Sequence, residues 1–102
     1  MNVKGALTLL GFAQKAGNLA AGEVAVENFL KKGRLVLLVI SSELSEQRME
    51  FWKEQAEQYG VAWTILEATK VEMGLAVGMS PRGIIGIPDE NMAEAIMKKL
   101  QN

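Results

Sequence analysis

The chain has 102 residues, 49% of them hydrophobic, which is enough for one domain with its own core. It contains no cysteine and no histidine, so thiol chemistry, imidazole acid–base catalysis and the usual zinc sites are excluded from the outset. Formal net charge is −1, too low for bulk attraction to a polyanion, but the distribution is uneven. Residues 1–34 carry net +3, residues 35–67 net −4, and the remainder is neutral. A basic first third on an acidic body suits a local contact with a polyanion.

The first predicted element is an amphipathic helix over residues 3–16, with Val3, Ala6, Leu7, Leu10 and Ala13 at helical spacing and Gly17 at its end. That periodicity, interrupted by Thr8 and Gln14, distinguishes it from a secretory leader. No apolar run reaches membrane-spanning length, and the expected location is cytoplasmic. A short strand is predicted at 19–21. A second helix follows over 22–32, with Val26, Phe29 and Leu30 on one face and Gly33 beyond it. "RLVLLVI", Arg34–Ile40, is a continuous branched aliphatic run and reads as a central strand covered on both faces.

Ser42 or Ser45 caps a helix over 45–58, with Met49, Trp52, Ala56 and Tyr59 facing inward and Glu46, Glu50, Glu54 and Glu57 outward. "VAWTIL", Val61–Leu66, is the next strand. Thr69 and Glu72 have the spacing of a capping box for a short helix ending near Gly78. "RGIIGI", Arg82–Ile87, is a strand, and Asp89 caps a last helix with Met92, Ala93, Ile96, Met97 and Leu100 buried. The six methionines read as core filler. This alternation predicts a single α/β domain over 1–102, a three-layer α/β/α sandwich around a four-stranded mixed sheet.

No phosphate-loop, dinucleotide or nucleophile-elbow motif is present, nor any metal-ligand cluster, so no cofactor and no metal is expected. Ser41 and Ser42 follow the central strand, but with no base to activate them they read as turn or cap residues. Three groups stand out. Gly22 and Glu23 open the second helix, where backbone N–H groups are free to meet an anion. "GMSPRG", Gly78–Gly83, presents Arg82 beside Ser80 and Pro81. Lys15, Gly17 and Asn18 form the turn after the first helix.

Together, "LLGFAQKAGNLAAGEVAVENFLKKGRLVLLVISSELSEQ" and "ATKVEMGLAVGMSPRGIIGIPDENMAEAI" resemble the L-seven-Ae/L-thirty-e ribosomal protein family, and within it the small bacterial YlxQ-like branch. The resemblance covers nearly the whole chain in order. It implies the same sandwich fold and binding of structured RNA, typically kink-turns, with ribosomal RNA or the ribosome as partner and no enzymatic activity. It also implies that the start of the second helix meets the sheared G·A pairs while the loop before the last strand covers the bulged bases. Gly22 matches the glycine of the family's reader segment. Where typical readers have Asn-Glu, this chain has Val24 and Ala25, and where they have a later lysine it has Asn28. Arg82 matches the basic loop position. The resulting candidate RNA-binding set is Lys15, Asn18, Gly22, Glu23, Asn28, Lys31, Lys32, Ser80, Pro81 and Arg82. Losing two or three base contacts weakens binding by ~10²–10⁴-fold. The alternative is therefore a protein–protein interaction module on this fold, entered through Val24.

Overall fold

The computed structural model describes residues 1–101, which fold as α1 (Val3–Lys15), β1 (Ala20–Ala21), α2 (Glu23–Lys31), β2 (Leu37–Ser41), α3 (Glu46–Gln58), β3 (Ala62–Leu66), α4 (Lys70–Ala76), β4 (Ile84–Ile87) and α5 (Glu90–Leu100). The sheet order is β1-β4-β2-β3, with β2 and β3 parallel and β4 antiparallel to both β1 and β2. This is the expected mixed four-stranded sheet. Its two faces carry separate cores. Ala6 and Leu10 of α1, Met73 of α4 and Ile96 of α5 pack against Leu37, Val39, Ile85 and Ile87. Val26 and Leu30 of α2 and Trp52 and Ala56 of α3 pack against Leu38, Ile40 and Ile84. The layers are therefore α1, α4 and α5 on one side and α2 and α3 on the other.

Local chemistry explains the boundaries. Asn2, Ser45, Thr69 and Asp89 accept backbone N–H groups at the starts of α1, α3, α4 and α5, and Thr69 with Glu72 completes the capping box. Ser45, not Ser42, is the cap of α3. The α1 helix stops at Gly17, whose φ of 70° lets the Gly17 and Asn18 amides donate back to Gln14 and Ala13. All five residues of β2 are buried, as a strand covered on both faces requires. The strand begins later than its aliphatic run, because the Arg34 amide is still donating to Phe29 at the exit from α2. Tyr59 departs from expectation. It lies beyond the last residue of α3 and is 39% exposed, outside the core stripe that Trp52 and Ala56 define.

Gly86 of β4 sits opposite Leu38 and under Leu35, where an added Cβ would come within 2.5 Å of a Leu35 methyl carbon. The bare backbone at that point lets Leu35 close over the strand.

The strand directions bring the ends of β1, β2 and β3 to the same sheet edge as the start of β4. The α2, α3 and α4 helices all depart from this edge, and it carries the candidate site.

Candidate nucleic-acid interface

Gly22 is the pivot. Its φ of 94° and ψ of 165° form a combination essentially reserved for glycine. Its amide donates to the Ile84 carbonyl at 2.9 Å, which ties the end of β1 to the start of β4. Of the five described helices, α2 alone begins without a side-chain cap. The Glu23, Val24 and Ala25 amides have no partner among the described residues and point out of the helix start.

Arg82 lies across this start. Its Cδ and Nε fall 3.2 Å from where a Cβ on Gly22 would be, so glycine at position 22 makes room for the guanidinium stem. Arg82 Nη1 donates to Ser80 Oγ at 2.6 Å, to the Ser80 carbonyl at 3.0 Å and to the Pro81 carbonyl at 3.2 Å. Nε and Nη2 have no acceptor among the described residues and keep their hydrogens for an external anion. The loop is itself held against α4. The Met79 amide donates to Gly74, the Arg82 amide donates to Lys70, and Gly74 has no room for a side chain because the Ser80 carbonyl carbon would lie 2.7 Å from its Cβ.

Glu23 is exposed but not a bare negative charge. Its Oε2 accepts from Arg48 Nη2 at 3.0 Å, and the Arg48 guanidinium lies 4.5 Å over the Phe51 ring and 5.9 Å from that of Trp52. Arg48 escaped the sequence reading. Its spacing to Phe51 and Trp52 on one helix is a readable signal for a stacked cation, but the pairing with Glu23 joins residues 25 apart in the chain. Lys70 also reaches this edge, with its stem over Gly83.

The remaining candidates separate. Asn28 and Lys31 are exposed on α2 and Lys32 is exposed just past its end, and Asn28 and Lys31 follow Val24 at helical spacing on one outward stripe. Val24 is 77% exposed and is the only large exposed apolar residue on this helix. Lys31 and Lys32 end that stripe about 14–15 Å from Gly22 at a rise of ~1.5 Å per residue, and Lys31 is paired with Glu27 at 3.1 Å. Asn18 lies in the turn after α1. Lys15 lines a groove between α1 and α4, in the layer on the opposite side of the sheet from α2. The structure thus brings together Gly22, Glu23, Ser80, Pro81 and Arg82, extends them along α2 through Asn28 to Lys31 and Lys32, and leaves Lys15 and Asn18 apart.

No protein-family model and no curated protein sequence matches the chain. Solved structures share its fold. A Bacillus halodurans protein of unknown function superposes with a TM-score of 0.85 at 23% identity, over 95% of this chain and 97% of that one. The Giardia lamblia 15.5kD RNA binding protein superposes with a TM-score of 0.73 at 16% identity, over 92% of this chain and 80% of that one.

Proposed function

We propose that this protein binds a structured RNA of the kink-turn type through the start of α2 and the Ser80–Arg82 loop, as a non-enzymatic, ribosome-associated component of the cytoplasm. The observation that carries the reading is the uncapped start of α2 with Arg82 lying across Gly22. Unpaired amides and a half-free guanidinium converge there on a site suited to a phosphate and to an unstacked base. The Giardia protein named as RNA-binding carries the same fold. The ion pair with Arg48 reduces the repulsion that Glu23 would otherwise exert on a nearby backbone. The non-enzymatic reading is supported by Ser41. It is buried, donates to the Ala68 carbonyl at 2.6 Å and accepts from the Glu43 amide, so its hydroxyl is committed to the turn.

The test is a titration at two salt concentrations with a kink-turn RNA and with the same RNA after Watson–Crick replacement of its G·A pairs. Wild type binds the kink-turn preferentially. Arg82→Ala weakens that binding by roughly 10–100-fold, as expected for loss of a ~1–3 kcal/mol contact. Equal affinity for both RNAs, or an Arg82→Ala protein that binds like wild type, refutes the reading.

A further inference from the structure

Of the exposed large apolar residues, Val24 stands alone at the start of α2, and three others cluster elsewhere. Phe12 is 55% exposed, Leu75 71% and Val71 52%, and these three belong to α1 and α4. Phe12 and Leu75 line a groove of about 530 Å³ between the two helices, floored by Leu7, Gly11 and Ala76. Gly11 lets α1 and α4 approach closely here, since an added Cβ would meet the Ala76 carbonyl oxygen at 2.9 Å. Val71 precedes Leu75 by one helical turn and continues the apolar stripe.

Two lysines bracket this groove. Lys4 and Lys15 both line it, and they lie about 16 Å apart along α1 at 1.5 Å per residue. Neither has a carboxylate within salt-bridge distance among the described residues. The one acid in the lining is Glu72, whose Oε1 accepts from the Thr69 amide at 2.8 Å, so two cations face a single carboxylate across the groove. An apolar centre with a free cation at each end is the complement of a short amphipathic helix whose apolar face is flanked by carboxylates. The spacing of the lysines matches about three helical turns.

We propose that the α1–α4 groove docks an acidic amphipathic helix of a partner protein, with Phe12 and Leu75 as apolar anchors and Lys4 and Lys15 as end clamps. The groove lies on the sheet face opposite α2, so the partner does not cover the helix start at Gly22, while it shares α4 with the loop that carries Arg82. A nucleic acid is less well matched to this face, because its lysines stand only at the two ends and Phe12 is the one aromatic side chain between them.

The test uses a fluorescently labelled helical peptide with Leu at i, i+4 and i+7 and Glu at both ends, and its twin with every Glu replaced by Lys. Anisotropy is read with wild type, Leu75→Asp and the double variant Lys4→Glu/Lys15→Glu, whose exposed positions leave the fold intact. Wild type binds the acidic peptide and not the basic one. Either variant weakens that binding at least about tenfold, and the double variant gains affinity for the basic peptide. The proposal is overturned if wild type binds neither peptide or both alike, or if the acidic peptide tolerates both variants. It is overturned in favour of a nucleic-acid surface if the double variant loses kink-turn RNA while its peptide binding is unchanged. The peptide measurements are independent of the RNA reading, which Arg82→Ala tests separately.

Discussion

Gly74→Ala sets helix propensity against packing. Alanine in the middle of α4 gains about 1 kcal/mol over glycine from propensity alone. Here the new methyl group would lie 2.7 Å from the Ser80 carbonyl carbon and 3.0 Å from the Met79 carbonyl oxygen. Both are backbone atoms and have no rotamer by which to withdraw, so the cost belongs at the upper end of the ~1–3 kcal/mol typical of overpacking. The net destabilisation is about 2 kcal/mol, which lowers the melting midpoint of a domain this size by roughly 8–16 °C. The displaced loop also carries Arg82 away from Gly22, so kink-turn affinity falls in the same variant. Gly5→Ala is the control. Its methyl group meets only the Asn2 side chain, which rotates away, and the lost cap of ~1 kcal/mol cancels the propensity gain. Circular dichroism melts of the three proteins decide the matter. A Gly74→Ala midpoint at or above wild type refutes the view that α4 and the loop are held together through a bare glycine.

Gly22→Ala forces an L-residue into a glycine-only conformation beside Arg82, at a cost of ~1–3 kcal/mol in urea unfolding together with weaker RNA binding. Ser41→Ala leaves the buried Ala68 carbonyl and the Glu43 amide without a partner and costs ~1–3 kcal/mol, again read by urea unfolding. Arg48→Ala removes an exposed ion pair and changes stability by less than about 1 kcal/mol. It still lowers RNA affinity several-fold in the titration above, because the Glu23 carboxylate then faces the phosphates uncompensated.

Much of the fold is readable along the chain because its punctuation is local. Gly17 follows α1 as a stop that the backbone uses, and Thr69 with Glu72 gives a start that the side chains build as the spacing predicts. β2 is equally plain, since seven residues from Arg34 to Ile40 contain six aliphatics. Tyr59 marks the limit of periodicity: the 3.6-residue repeat holds only while the helix does, and Tyr59 stands one residue past its end. At the site, Gly22 and Arg82 can each be singled out from motif and loop chemistry. Their contact cannot, because it depends on β1 pairing with β4 across the sheet. The Glu23–Arg48 bridge and the seat of Ser80 on Gly74 likewise join distant segments through tertiary packing that spacing does not encode.

The bare backbone at Gly86 bears on how the chain chooses its pairing. β2 and β4 are aliphatic on both faces, so a shift of one residue, which in a half-exposed sheet would send apolar side chains into water, meets no such penalty here. A shift of two would preserve every inward and outward direction. It would also bring Ile84 opposite Leu38, beneath Leu35, where the native chain has no side chain at all. The same shift would set Arg82 opposite the buried Ile40, so the missing side chain is one of two alignment marks that separate the native pairing from its competitor during folding.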